Sequence, residues 1–262
     1  MTTSPWKLTF QVLGSALLIV AVVAIVASGQ FAPMPLPEDG VEIFTDDFER
    51  LEIGSDYLQG TPDPGHTAER WRIESFCTPP GEPKASDSKS EKLTFDVHRW
   101  FSFTIEGHCS RKLVAENIHN AALWLQKALP EKVRVEFEAT ALTPTGDVKS
   151  EIFGDGITHQ SGYILIMGGW SNQLNIIARQ DEHGEDRKRD NRCVVRNRRK
   201  VCVEKGKVYR WAIERRDKTL KWFVNDKLFM TYPDRYPIQG KHFGFNNWEA
   251  KVAFDHLRIL KL

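Results

Sequence analysis

Three short stretches put acid, base and aromatic side chains close enough together to do chemistry. In RQDEHGEDR, the residues Asp181, Glu182, His183 and Asp186 crowd around Gly184. Histidine titrates near neutrality and carboxylates are common proton-transfer groups. The cluster is therefore a candidate acid–base pair, and its oxygens are candidate ligands for a hard cation such as calcium. A solvated strand end with a turn at Gly184 is the plainer reading of the same residues. EIFGDGI offers Glu151 and Asp155 as further catalytic candidates, although Gly154 and Gly156 make the stretch read as a turn. VEFEAT places Glu136 and Glu138 on one side of a strand, because strand side chains alternate, and reads as a solvated face. Asp46, Asp47 and Asp255 form a second candidate calcium set, with turn capping as the alternative.

Aromatic rings matter because a flat ring can cover the apolar face of a sugar while nearby amides take its hydroxyls. Trp170 follows two glycines at the end of an apolar run, and Trp248 stands beside Asn246, Asn247 and Glu249. These four, Trp170, Asn246, Asn247 and Trp248, are the candidate ligand-binding group. Trp211 and Trp222 alternate with polar residues and read as core. A second candidate surface is basic. Arg187, Lys188, Arg189, Arg192, Arg196, Arg198, Arg199 and Lys200 lie between Glu185 and Cys202, in a chain whose formal net charge is only +1. Such a run suits carboxylate, sulfate or phosphate groups, since the arginine guanidinium binds them in a two-pronged fashion. Pairing with Glu182, Glu185 and Asp186 is the other reading. The balanced overall charge gives no reason to expect nucleic acid as a partner.

These residues need a compartment and a scaffold. Residues 8–29 carry no charge and can span a bilayer core of about 30 Å. Residues 1–29 read either as a signal peptide cleaved near Ala27–Gly29 or as a retained membrane anchor. Lys7 before the run and Glu38, Asp39 and Glu42 after it place the remainder outside the cytoplasm. Residues 30–40 are a proline-rich tether. Export permits disulfides. With a turn at Asn197-Arg198, Val194 faces Val201 and Cys193 faces Cys202, which leaves Cys77 to pair with Cys109.

Alternation with a period of two dominates from Lys132 onward. It puts Val133, Val135, Phe137 and Ala139 on one side, then Tyr209, Trp211 and Ile213, then Leu220, Trp222 and Val224. The last strand carries Val252, Phe254, Leu257 and Ile259 and loses strict alternation near Asp255, as a bulge would cause. GYILIMGGW is apolar throughout and reads as a central strand covered on both faces. Residues 116–129 read as a strand rather than a helix, and 78–92 as a polar loop. The fold class is all-β, an antiparallel two-sheet sandwich over 41–262 preceded by one N-terminal hydrophobic helix.

Several stretches resemble one known architecture. IFTDDFERLEIGSDYLQG followed by WRIESFC is similar to the opening of concanavalin A-like lectin/glucanase (laminin-G-like) jelly rolls, with Tyr57 where a tryptophan is usual. VYRWAIERRDKTLKWFVNDKLF and GKHFGFNNWEAKVAFDHLRI resemble its later strands. The resemblance implies a jelly roll over about Ile43–Leu262 and a range of roles from lectin to glucanase. Laminarinase-type members carry E-x-D-x-x-E on one strand, and this chain has no such strand. The reading is an extracytoplasmic carbohydrate-binding module for a cell-envelope or extracellular glycan, an acidic one where the basic run makes the contact. It needs no cofactor beyond a candidate calcium. A glycoside hydrolase or lyase, and a protein-adhesion module, are the alternatives.

Overall fold

The computed structural model describes residues 37, 40–77, 90–96, 102–196 and 198–262. The apolar segment 1–29 and most of the tether 30–40 lie outside the described residues. Among those described, no helix is long and apolar enough to cross a membrane. The chain divides into two units. One comprises Leu36–Glu74 with Arg111–Leu262; the other comprises Met1–Pro35 with Ser75–Ser110.

In the larger unit, alternation builds two antiparallel sheets. The first runs β16(Lys227–Pro233), β15(Thr219–Val224), β14(Val208–Arg216), β7(Val133–Ala141), β18(Lys251–Lys261), β5(Ser102–Glu116), β3(Arg72–Cys77), the last two belonging to this unit only over residues 111–116 and 72–74. The opening strand β1(Val41–Asp46) pairs with the second half of β18, whose first half pairs with β5. The β7–β18 register slips between Asp255 and Arg258, where His256 adopts φ 50, so the expected bulge is present. The second sheet runs β11(Arg187–Asp190), β10(Leu174–Arg179), β9(Tyr163–Gly168), β8(Val148–Gly154), β17(His242–Asn246), β6(Leu123–Leu125), β2(Tyr57–Gln59).

The inner faces meet through aromatic contacts such as Phe137 with Phe243 at 5.7 Å and Phe245 with Phe254 at 4.5 Å. Trp211 and Trp222, both fully buried, pack at 4.3 Å. The inward residues expected on β7, β14 and β18 are all in this core.

The outer face of the second sheet is also covered. Ile164, Ile166, Ile176 and Ala178 form a separate apolar cluster there. Two loops fold back across it, which explains why β9 reads as apolar on both sides.

Four segments differ from the sequence expectation. Glu151 does not sit in a turn: β8 continues through Gly154 and Glu151 is fully buried. Glu136 is not solvated either. It is 3% exposed, held by Arg134 at 2.6 Å and by Arg258 on the neighbouring strand at 2.8 Å. Cross-strand opposite charges of this kind stabilise a sheet surface. Within 116–129 only Glu116, the end of β5, and Leu123–Leu125 are strand, because Asn117, His119 and Asn120 take left-handed φ angles. The polar loop ends by Ser90, where β4(Ser90–Asp96) begins; residues 78–89 lie outside the described ones.

In the smaller unit, β4 pairs with the first half of β5, and Cys77 is joined to Cys109. In the larger unit, Cys193 is joined to Cys202 at the base of the hairpin β12(Val194–Arg196)–β13(Arg199–Val201), in the expected register. The residues Arg187–Asp190 do not belong to this hairpin; they form the edge strand β11. Replacing both Cys193 and Cys202 by serine is expected to cost about 2–3 kcal/mol, the chain-entropy value for so short a loop. Hydrogen exchange should then quicken at 194–203 and stay unchanged in β7, β14 and β18.

Candidate functional site

The site grows from one strand. Asp147 immediately precedes β8, and within the strand Lys149 and Glu151 share one side, projecting onto the outer face of the second sheet. Lys149 is 1% exposed. Its Nζ lies 2.9 Å from Glu182 Oε2 and 3.9 Å from Asp147 Oδ1, and donates to Asn120 Oδ1 at 2.7 Å. Glu182 arrives because the β10–β11 loop folds back over the sheet. The β8–β9 loop brings His159 in the same way. His159 Nδ1 lies 2.7 Å from Glu151 Oε1, and Asn246 Nδ2 donates to that oxygen at 2.7 Å. His159 Nε2 points toward Glu182 Oε2 at 3.9 Å and has no hydrogen-bond partner among the described residues. Glu151, Lys149, His159 and Glu182 thus form a continuous charged network beneath the surface.

Burial and charge compete at each member. Burial disfavours the charged form of Lys149, but Glu182 and Asp147 outweigh it and hold the lysine pKa up. Burial would raise Glu182, yet Lys149 and His159 bring it below the ordinary glutamate range. For His159, burial is outweighed by Glu151 and the imidazole pKa is raised. Burial prevails at Asp147 and raises its carboxyl, with Lys149 opposing.

A raised histidine pKa contributes stability that is complete below its unfolded value near 6.5 and is lost as pH rises through the folded value. The lowered Glu182 contributes above the unfolded glutamate value and loses that contribution in acid. The raised Asp147 works in the opposite sense in acid and blunts that limb. Thermal stability is therefore expected to fall above pH 6.5, and His159→Gln should make this alkaline limb shallower in a series of melting curves, leaving the part due to His256, whose pKa Asp255 also raises. An unchanged limb in the variant would refute the assignment.

Above the network is a cavity of about 430 Å³ with Ile166 at its floor. Its walls come from loops: Trp170 and Ser171 between β9 and β10, Glu182 and His183 between β10 and β11, Trp248 and Glu249 between β17 and β18. Asp63, Asn120, Thr145 and Asp147 complete it. Trp248 is braced edge-on by His119 at 5.1 Å and His66 at 4.8 Å, and its backbone N–H donates to Asp147 Oδ1 at 2.9 Å. Trp170 is 38% exposed, with the Arg187 guanidinium 5.6 Å from its ring centre and His183 edge-on at 5.7 Å.

Trp170 sits in a left-handed turn. Gly168, Trp170, Ser171 and Asn172 have φ 71, 51, 58 and 66. Three such non-glycine residues in succession cost on the order of 1 kcal/mol each, so the turn needs external support. Asn172 supplies it. Its Oδ1 accepts from Cys202 N at 2.9 Å and Val203 N at 2.8 Å, and its Nδ2 donates to Pro144 O at 3.0 Å and Val203 O at 2.7 Å. Gly146 packs against this turn so closely that a Cβ there would lie 2.5 Å from Gly168 O.

The structure therefore places Trp170, Trp248, Glu182 and His183 on one cavity, from three loops. Other candidates stand elsewhere. Asn246 and Asn247 are fully buried; Asn247 Oδ1 accepts from Ile118 N and its Nδ2 donates to Ala250 O. They support the site from beneath and do not face it. Asp181 accepts from His183 N at 2.8 Å, and Asp186 accepts from the Tyr232 hydroxyl. Asp155 caps its own loop through Ile157 N and Thr158 N, both at 2.8 Å.

The proposed calcium set is not assembled. Asp46 is held by Arg50 at 2.7 Å and Tyr57 at 2.8 Å, Asp47 accepts from Glu49 N, and Asp255 is paired with Lys112 at 2.6 Å. Among the basic residues, Arg187 lies against Trp170 and Arg192 pairs with Asp190 at 2.6 Å, whereas Arg198, Arg199 and Lys200 are exposed. Nothing is described of the Arg196 side chain. Asp147, Lys149 and His159 were not anticipated. The signal available was D-x-K-x-E, three charges at strand spacing leading into the apolar pair Ile152-Phe153.

No family model and no curated protein matches the chain. Solved structures do. Domain 4 of AbnA, a GH43 extracellular arabinanase from Geobacillus stearothermophilus, in complex with arabinotriose, is similar with a TM-score of 0.44 and 11% identity, covering 86% of this chain and 94% of that one. The carbohydrate-binding module CBM66 from Bacillus subtilis is similar with a TM-score of 0.42 and 13% identity over 64% of this chain and 92% of its own. Sheep galectin-11, in complex with glycerol, gives 0.38 and 13% over 51% and 92%.

Proposed function

We propose that the chain binds a carbohydrate in the cavity between Trp170 and Trp248, outside the cytoplasm. The observation that carries this reading is that two tryptophans from separate loops face one cavity whose polar groups are fixed by a buried network. Aromatic surface with a few pre-positioned polar groups is what orients a sugar. Extracytoplasmic placement is supported by two disulfides and by the uncharged run at 8–29.

The carboxylates Asp63, Asp147, Glu182 and Glu249 line the cavity. A neutral glycan is therefore favoured here over an acidic one, because like charges repel at short range. Calorimetric titration of a panel of neutral and uronic-acid oligosaccharides tests this. Neutral members should bind, and Trp248→Ala should weaken them roughly 30-fold, the loss typical of a central aromatic anchor. Failure of every glycan to bind at millimolar concentration would end the proposal.

One observation favours hydrolysis as a second reading. Asp147 and Glu182 line the same cavity and their pKa values are displaced in opposite directions, the pattern of an acid paired with a base. Asp147 would protonate the leaving glycosidic oxygen, and Glu182 would take the proton of the attacking water. New reducing ends from a bound glycan, absent with Glu182→Gln although that variant still binds, would support it. Binding without turnover would leave the lectin-like reading alone.

A further inference from the structure

We propose that the disulfide-closed hairpin β12–β13 is a membrane-contact finger for anionic lipid headgroups. The inference is independent of the cavity. Between Cys193 and Val203 the chain carries Arg196, Arg198, Arg199 and Lys200 and no acidic residue. The acids that flank the hairpin are engaged outside it: Asp190 pairs with Arg192 at 2.6 Å, and Glu204 lies 3.2 Å from Lys207. Arg198, Arg199 and Lys200 are exposed.

The apolar residues decide which anion fits. Val194 is 51% exposed and Val195 is 68% exposed. Opposed residues of an antiparallel pair share a face, so Val195 stands beside Lys200, while Val194 stands beside Val201 on the other face. A soluble polyanion satisfies the cations and leaves the valines in water. A bilayer interface takes both, with apolar side chains among the upper acyl groups and arginines on phosphates.

The finger is also fixed in place. The Cys193–Cys202 disulfide closes its base, and Cys202 N and Val203 N are tied to Asn172 in the turn between β9 and β10. A pre-ordered hairpin loses little conformational freedom on contact.

The test is amide hydrogen exchange on the full chain mixed with vesicles of phosphatidylcholine alone, or of phosphatidylcholine with phosphatidylglycerol. The apolar run at 8–29 meets both kinds of vesicle, so the difference between them reports on charge-dependent contact. Exchange at 194–201 should slow at least about tenfold with phosphatidylglycerol and not with phosphatidylcholine alone, given the attraction of three cations to an anionic surface. The slowing should vanish in Arg198→Glu/Arg199→Glu/Lys200→Glu and shrink in Val194→Ser/Val195→Ser. Dextran sulfate should protect wild type and the valine variant equally. No slowing with phosphatidylglycerol overturns the proposal. So does full slowing in the valine variant, which would make the finger a contact for polyanions of any kind.

Discussion

Lys149→Ala is expected to destabilise the chain by about 3–5 kcal/mol, the cost of breaking a buried ion pair from one side. For a chain of this length that corresponds to a melting temperature lower by roughly 10 °C. The size of the effect comes from what remains behind. Glu182, 9% exposed at its side chain, would keep its charge with no cation at 2.9 Å, and Asn120 Oδ1 would lose its donor at 2.7 Å. The hydrophobic stem is a minor part of the loss. Lys149→Met combined with Glu182→Gln should recover most of the stability, because removing both charges removes the penalty with the attraction. Thermal and urea melts of the two variants check this. A loss below about 1 kcal/mol in Lys149→Ala would mean that the network is more solvated than its burial indicates.

How far the fold was legible depends on the range of the forces involved. Alternation in Val133–Ala141 and Val208–Arg216 reports which side of a strand meets the core, and those strands form as read. The Cys193–Cys202 register followed from a two-residue turn, also a local quantity. Glu136 was misread because alternation separates core from surface and says nothing of whether arginines on neighbouring strands cover that surface. The site was legible in part for the same reason. Trp170, Trp248, Glu182 and His183 declare themselves by type. Lys149 and His159 do not, since their meaning depends on two loops folding back over the outer face of a sheet. That packing is tertiary and leaves only an indirect trace: charges at strand spacing beside a strand that is apolar on both faces.

The same packing sorts the charge of a nearly neutral chain. The acidic cluster at 181–186 and the basic run at 187–200 are adjacent in sequence and could have cancelled. Glu182 instead turns inward to Lys149, Arg187 lies against Trp170, Lys188 and Arg189 stay on the edge strand β11, and Arg198, Arg199 and Lys200 are carried out on the hairpin. The result is a carboxylate-lined cavity and a cationic finger, two surfaces suited to different partners.

Asn172 joins these two surfaces, and Asn172→Ala is expected to disturb both. The residue is 4% exposed at φ 66. Alanine there meets the left-handed penalty of about 1–2 kcal/mol and cannot accept from Val203 N or donate to Pro144 O and Val203 O. Cys202 N keeps a partner, because the Asn172 carbonyl oxygen already accepts from it at 3.2 Å. With Val203 N left unpaired at about 1–3 kcal/mol, the total loss is about 2–5 kcal/mol. The core strands do not depend on this turn, so far-UV circular dichroism should be unchanged well below the melting point. Under those conditions exchange at 194–203 should quicken, and affinity for any glycan held by Trp170 should fall about tenfold as the ring loses its fixed backbone. Asn172→Gly separates the causes. It tolerates φ 66 but lacks the amide, so if strain alone matters it behaves as wild type, and if the amide is the clamp it behaves as the alanine variant. Unchanged exchange at 194–203 in Asn172→Ala would show that the hairpin is anchored by the disulfide alone.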